Sequence, residues 1–275
     1  MGNQNLQLGP EFAHGRNILG KLKNQKYSRY HSLLQQSWTY YLEWQRNNLE
    51  LKGINFKIVK KRVEYLNQYK DYIDGISTRI FSAQSKFHST VIEEFLYYLF
   101  KDEVERIAGE RIRLGGIRAY SNIYFSPSNL QEFTRRAFIR VNEKDQDFAI
   151  YRSIKIQADG ERKIINVPVV SIECKTYLDK TMLEGSIATA EKIKMGNPYC
   201  LFIVVVEYYD VSYEVDPKYS RIDQIYVLRK QKRRGEERSP IDAKVVWDLF
   251  KIVKRHLEAD WSGIEKRIIE TGKVL

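Results

Sequence analysis

The sequence predicts a mixed α/β (α+β) fold in which a helical N-terminal region precedes a sheet flanked by further helices. Apolar residues recur every three or four positions over residues 27–80 and again from Ser89 to about Gly109, and on every second position after Gly115-Gly116. This is the change from helical to strand periodicity. One helical segment, 181–195, then precedes a nearly all-apolar run at 200–207, which is typical of a strand buried on both faces. Helices on both sides of the strand region predict a mixed α/β core behind a helical elaboration.

The first 80 residues are predicted to be a flexible tail followed by helices. Residues 1–15 are polar and lack periodicity, which is typical of a loose tail. Residues 27–80 show helical spacing, and Gly53 and Asn55 are expected to separate two helices. We place a domain boundary here, with residues 1–80 in front of a core at residues 81–275.

The core is expected to begin with a helix from Ser89 to about Gly109 and to continue with a sheet. Asp159-Gly160 is a strong hairpin dipeptide between two strands rich in Val and Ile. The predicted strands cover residues 118–125, 138–141, 148–157, 164–174, 200–207 and 222–228, and helices at 241–257 and 261–269 follow.

The net charge of +11, from 46 basic and 35 acidic residues, favours a polyanionic partner. No apolar run approaches 18 residues and no signal peptide is visible, so a membrane protein is not expected. Two cysteines and four dispersed histidines argue against a disulfide-built fold and a zinc site. Glycine-rich nucleotide loops are also missing from the sequence. We therefore expect a cytosolic protein that binds nucleic acid and uses no nucleotide cofactor.

Asp147, Glu173 and Lys175 are the best candidates for chemistry. Asp147 opens one strand of the hairpin, and Glu173-Cys174-Lys175 ends the other. Alternation along a strand puts Glu173 and Lys175 on one face, and a hairpin places Asp147 beside them. Two adjacent carboxylates repel unless a cation lies between them, and hard oxygen ligands suit Mg²⁺. The alternative is a salt-bridging pair at the end of a strand.

A series of motifs in this order resembles a known nuclease family. The motifs are KDQDF at 144–148, IECKTYL at 172–178, TAEKIK at 189–194, PYCL at 198–201 and IDQIYVLR at 222–229. They resemble the BbvCI-like (DdeI-related) family of Type II restriction endonucleases, which read CTNAG-centred sites and belong to the PD-(D/E)xK superfamily. The resemblance spans residues 80–250 and is weaker before them.

The resemblance implies a restriction-endonuclease-like mixed sheet and a sequence-specific, Mg²⁺-dependent endodeoxyribonuclease. Asp147, Glu173 and the backbone carbonyl of Cys174 would hold the metal, and Lys175 would position the attacking water. Gln146 replaces the proline of the superfamily motif, which leaves open whether Asp145 shares the metal role. Rival functions are a repair or junction nuclease on the same core and an inactive DNA-binding protein.

A helix glutamate of the superfamily often reaches the metal through water, and the motif VIEEFL at 91–96 implies Glu94 for this role. Glu93 is the weaker choice, and a solvated glutamate is the alternative for Glu94.

Basic residues are expected to bind double-stranded DNA, since a nuclease must anchor phosphates and arginine reads guanine. The candidates are Arg229, Lys230, Lys232, Arg233, Arg234 and, on the predicted helix with Glu191, Lys194. A solvated loop and surface ion pairs are the alternatives.

A second nuclease subunit is the expected protein partner. Only one Asp-Glu-Lys constellation is visible in the sequence, and the resemblance implies one strand cut per subunit. A non-identical partner is slightly favoured over a homodimer.

Overall fold

The computed structural model describes residues 8–82, 85–158, 160–232, 237–261 and 263–274. A mixed sheet of five strands lies at the centre of this part of the chain. The strand order follows the chain, β1-β2-β3-β4-β5. β1, β2 and β3 are antiparallel, whereas β3, β4 and β5 are parallel. The strands are β1 Arg113–Phe125, β2 Ile139–Ala158, β3 Glu161–Leu178, β4 Leu201–Tyr209 and β5 Gln224–Gln231. This sheet and its flanking helices confirm the predicted fold class.

Helices precede, interrupt and follow the sheet. They are α1 Ala13–Lys23, α2 His31–Glu50, α3 Phe56–Gly75, α4 Thr90–Ala108, α5 Leu130–Arg135, α6 Lys180–Gly196, α7 Ala243–Glu258 and α8 Ile264–Thr271. Short 3₁₀ turns lie at Gln25–Tyr30, Gly109–Arg111 and Pro217–Tyr219. Gly109 follows α4 with a φ of 56°, a conformation that favours glycine. Within the described residues, none of these helices has the length and apolar character that crossing a bilayer requires.

Two apolar clusters cover the two faces of the sheet. β4 contributes Ile203 and Val205 to the larger cluster and Phe202 and Val204 to the smaller one, because successive side chains of a strand point to opposite faces. α2, α3, α4 and α7 pack in the larger cluster, and α6 packs in the smaller one. The N-terminal helices therefore share a core with the sheet.

The N-terminal tail is shorter than predicted. Residues 1–7 lie outside the described residues, but α1 begins at Ala13, and His14 and Gly15 are buried. The His14 ring bonds Thr90 of α4 and Tyr69 of α3. The assignment of residues 13–15 to a flexible tail is wrong because contacts with distant helices hold this polar segment.

One long strand replaces two predicted ones. β2 runs for 20 residues across the interval 142–147 that separated the predicted strands. Its polar residues pair with β1, with register shifts near Gly115 and Tyr120. The sequence did not predict a strand at 142–147 because its residues are all polar and one face of the strand is partly exposed. The alternation of apolar and polar residues that predicts a half-buried strand is therefore missing there. Of the predicted turn 159–160, Asp159 lies outside the described residues, while Ala158 pairs with Glu161 as a two-residue hairpin requires.

Candidate active site

Antiparallel pairing of β2 with β3 brings Asp147 against the Glu173-Cys174-Lys175 segment. Phe148 lies opposite Ile172, so Asp147, which precedes Phe148, and Glu173, which follows Ile172, meet at the end of the antiparallel pair. The backbone N–H of Cys174 donates to Oδ2 of Asp147 over 3.0 Å, and Nζ of Lys175 lies 3.1 Å from the same oxygen. The three sequence candidates are thus neighbours in space.

Asp147 is held in its charged form. Burial alone would raise the pKa of Asp147, but the positive charges of Lys175 and Lys86, together with the hydrogen bond from Cys174, outweigh burial and lower it. Nζ of Lys86 lies 3.1 Å from the second oxygen, Oδ1. Asp147 is therefore an ionised carboxylate even though it lies at the edge of the core.

α6 holds Glu173 in place. Oγ of Ser186 on α6 donates to Oε2 of Glu173 over 2.5 Å, and Nζ of Lys175 lies 3.9 Å from that oxygen. Burial alone would lower the pKa of Lys175, but the negative charges of Asp147 and Glu173 raise it. Lys175 is consequently a charged donor between two carboxylates.

A cleft of about 700 Å³ opens over these residues. Its lining includes Asp147, Cys174, Lys175 and Lys86, with Glu207 and Arg238 at another part of the wall. Asp145 lies apart from this arrangement, since its side chain is 89% exposed and faces Arg118. Of the two aspartates, Asp147 is therefore the one that lines the cleft.

Glu94 does not face the cleft. Its carboxylate is fully buried and accepts hydrogen bonds from the backbone N–H groups of His14 and Gly15, at 2.9 and 3.0 Å, and from the hydroxyl of Tyr98. These partners tie α4 to the first turn of α1, whose free N–H groups attract a carboxylate. The expectation that Glu94 belongs to the metal site is therefore corrected.

Glu93 is the glutamate beside Asp147. It is buried, and its pKa is raised to about 8, first by burial and then by the negative charge of Asp147. Its Oε1 atom is buried and has no hydrogen-bond partner within the described part of the chain. The sequence could not separate Glu93 from Glu94, because apolar residues flank both on α4.

Arg229 is part of an internal ion network. It is only 3% exposed, and its guanidinium bonds Glu207, Asp74 and the backbone carbonyl of Ser239. Lys70 of α3 completes the network through Glu207 and Asp74, at 2.8 Å from each. The expectation that Arg229 contacts DNA is corrected, since all its polar groups are turned inward. No sequence pattern signalled this network, because its members come from α3, β4 and β5, three separate segments of the chain.

The other basic candidates are spread over the surface around β5. Lys230 pairs with Asp242, Lys194 pairs with Asp223, and Nζ of Lys232 lies 3.3 Å from the ring centre of Tyr213. Glu191 pairs with Arg221 instead of Lys194. Arg233 and Arg234 lie outside the described residues, so their DNA-binding role stays a prediction.

A five-stranded mixed sheet with an Asp, a Glu and a Lys at the end of a strand pair defines the restriction-endonuclease class of nuclease. The comparisons with known proteins agree with this class. Residues 84–245 match the family model described as Bpu10I restriction endonuclease. Because this match covers more than half of the chain, the chain belongs to that family. It is accordingly a Type II site-specific deoxyribonuclease.

A solved structure supports the fold. The chain is similar to a chain of native BbvCI, determined as an A2B2 tetramer at low resolution. The TM-score is 0.75 at 20% identity, over 90% of this chain and 96% of that chain. Among curated proteins, none matches this sequence.

Proposed function

We propose that this chain hydrolyses phosphodiester bonds at a specific duplex DNA site in a Mg²⁺-dependent reaction, and that each chain cuts one strand. Asp147, Glu173 and the backbone carbonyl of Cys174 would hold the metal, and Lys175 would orient the attacking water. The place of action would be the cytoplasm of a prokaryotic cell. The observation that carries the proposal is the ionised carboxylate of Asp147, bound by Lys175 in an open cleft.

The residues of the cleft fit a hard divalent cation. No group of three or more His, Cys, Asp or Glu side chains within the described residues is arranged to hold a metal ion by itself. However, Asp147 and Glu173 supply carboxylate oxygens, and the buried Oε1 atom of Glu93 has no hydrogen-bond partner among the residues that the structure describes. Oxygen donors with water completing the shell are what Mg²⁺ prefers. We propose Glu93 in place of Glu94 as the glutamate that supports the metal's water shell.

The chain's own groups define the rest of the mechanism. When bound, the cation would lower the pKa of a water molecule and offset negative charge on the phosphate. Lys175 would donate a hydrogen bond that aims the attacking water at phosphorus, because its charged Nζ already lies between Asp147 and Glu173. Ser186 would keep Glu173 in position through its hydrogen bond. Attack would break the bond to the 3′-oxygen and leave a 3′-hydroxyl and a 5′-phosphate.

The test is the fate of supercoiled plasmid DNA with Mg²⁺, using the wild type and Lys175→Ala. We expect the wild type, with its partner if one is needed, to nick or linearise the plasmid at one site. Lys175→Ala should reduce cleavage at least about 10³-fold, since catalytic groups act as a unit, while binding of site DNA in Ca²⁺ persists.

The matched control is Lys57→Ala. Lys57 is an exposed lysine near the start of α3, about 25 Å along the helix from the end that reaches the cleft. Its loss should leave cleavage unchanged. Near-normal cleavage by Lys175→Ala would overturn the proposed site.

A further inference from the structure

Lys86 reaches the cleft from the loop between α3 and α4, and neither the family match nor the sequence motifs assign it a role. Its backbone has a φ of 55°, which is costly for a residue with a side chain. The next residue, Phe87, is fully buried, and the carbonyl of Lys86 accepts hydrogen bonds from the N–H and hydroxyl of Thr90 in α4. The backbone is thus anchored directly after a lysine whose side chain remains 58% exposed.

The two lysines at Asp147 bind different oxygens. Lys175 and the Cys174 N–H share Oδ2, whereas Lys86 binds Oδ1 alone. Lys175 belongs to a sheet strand and is the less exposed of the two, at 31%. Among the described residues, Oδ1 therefore has one largely exposed cation as its partner, whereas Oδ2 has two donors that both belong to β3.

A divalent cation that binds Asp147 must compete with the ammonium group of Lys86. Lys86 also lies near the carboxylate of Glu93, which attracts it, and the charge of Lys175, which repels it. A cation on Oδ1 adds repulsion at short range, while the flexible stem of lysine allows its head group to move away. When DNA lies in the cleft, its phosphate groups are the anions that the displaced ammonium group of Lys86 can bind.

We propose that Lys86 is a positioning residue: it neutralises Oδ1 of Asp147 until a divalent cation binds there, and then contacts a DNA phosphate in the same cleft. The proposal rests on the metal site described under the proposed function. It predicts two opposite effects of removing one charge. Without Lys86, the free protein should bind the metal more tightly, and the metal-loaded protein should bind DNA more weakly.

The first experiment is calorimetric titration of Mg²⁺ into the protein without DNA, comparing the wild type with Lys86→Met. We expect about 1.5- to 5-fold tighter binding, the range that corresponds to a partly exposed ion pair. Lys86→Gly is the second variant, since glycine accepts the positive φ and favours folding. It should show the same increase. Unchanged affinity in a folded variant overturns the competition.

Lys251→Met is the matched control. Lys251 also has a partly exposed side chain, at 47%, and an aspartate partner, but that partner is Asp248 on the same helix, α7. Its loss should leave the Mg²⁺ affinity unchanged. An equal increase in this variant would show a general effect of net charge and would overturn the specific role of Lys86.

Asp147→Asn separates this inference from the proposed function. If it leaves Mg²⁺ binding intact, or if none of the proteins binds Mg²⁺, the proposed metal site fails. If it abolishes binding while Lys86→Met binds as the wild type does, only the role of Lys86 fails.

The second experiment measures the affinity for site DNA in saturating Ca²⁺ as a function of salt. Lys86→Met should bind about 2- to 10-fold more weakly, with a plot of log affinity against log salt that is shallower by about one unit, as expected for one lost phosphate contact. Lys86→Arg should restore both values. Wild-type affinity and slope in Lys86→Met would overturn the phosphate contact.

Discussion

Glu93 and Glu94 are neighbours on α4, and the helix turns their side chains about 100° apart. One carboxylate is next to Asp147, and the other accepts hydrogen bonds from α1. The same residue type therefore has a different physical role at each position. Replacing each carboxylate by an amide should therefore affect cleavage at Glu93 and stability at Glu94.

Glu93→Gln should lower cleavage about tenfold or more with little loss of stability, because the amide supplies less negative charge beside the metal. Glu94→Gln should lower the free energy of unfolding by about 1–3 kcal/mol, because the amide group cannot accept from all the buried donors. Cleavage per folded molecule should be preserved in this variant. Urea unfolding and plasmid cleavage, measured on both, decide the assignment. The reverse pattern would restore Glu94 as the site glutamate.

Arg229 and the pair Arg233 and Arg234 should also behave differently, although they lie in one basic run. Arg229→Ala leaves Glu207 and Asp74 short of a buried partner, so the free energy of unfolding should fall by about 3–5 kcal/mol. The double change Arg233→Ala and Arg234→Ala should keep the stability and weaken DNA binding, with a shallower salt dependence if phosphates are contacted.

Denaturant titration and DNA binding at several salt concentrations measure the two effects. Wild-type DNA affinity in the double variant would identify this part of the run as a solvated loop. A fully stable Arg229→Ala protein would contradict the structural role of the ion network.

At the scale of elements, α1 is joined to the core by polar contacts. Nδ1 of His14 lies 3.0 Å from Oγ1 of Thr90, and Nε2 lies 2.7 Å from the hydroxyl of Tyr69. Burial, followed by the positive charge of Lys70, lowers the pKa of His14 well below its usual value. The ring is therefore neutral in the folded protein, and its docking depends on pH.

Acid should weaken this docking. Below pH 6.5 the unfolded chain takes up a proton on His14 that the folded chain does not bind. The stability that the neutral His14 ring contributes is therefore fully present above the unfolded pKa and is lost as the pH falls through that pKa. One pH unit below 6.5 the loss should reach about 1.4 kcal/mol. His14→Gln should be less stable at pH 7.5 and should lose less stability on going to pH 5.5 than the wild type.

The exposed His31 at the start of α2 provides the control, because His31→Gln removes a histidine that takes no part in the contacts of His14 and should keep the wild-type stability at pH 7.5. Urea unfolding at several pH values is the measurement. Equal pH dependence in His14→Gln and the wild type would exclude His14 as the titrating group.

At the scale of the whole molecule, the described residues contain one Asp147–Glu173–Lys175 cluster. The two scissile phosphates of a duplex lie on separate strands, so the proposal that each chain cuts one strand predicts that double-strand cutting needs a second chain. The similar BbvCI structure is an A2B2 tetramer, and a non-identical partner for this chain stays a prediction.

The partner hypothesis predicts a strand-specific nickase. Lys175→Ala assembled with an intact partner should nick one strand of the site and leave the other intact. Sequencing the ends on both strands of the nicked plasmid gives the position. Efficient double-strand cutting of a palindromic site by this chain alone would instead indicate a homodimer, since protein symmetry is mirrored in the DNA.

The sequence by itself determined the parts of this protein that depend on short-range patterns. Residue spacings of two and of 3.6 predicted most of the strands and helices, and Asp159-Gly160 predicted the hairpin that aligns Asp147 with Glu173 and Lys175. These predictions succeed because the backbone geometry of an element and the reach of a tight turn are fixed within a few residues.

The tertiary structure alone decided which distant group each charged or polar side chain meets. It placed Glu94 under α1 and Glu93 beside Asp147, enclosed Arg229 between Glu207 and Asp74, and buried His14. The partners lie tens to more than a hundred positions away in the chain, and no local period records them. Burial and pairing are properties of the packed molecule, because the cost of desolvating a charge is offset only where folding brings a complementary group to it.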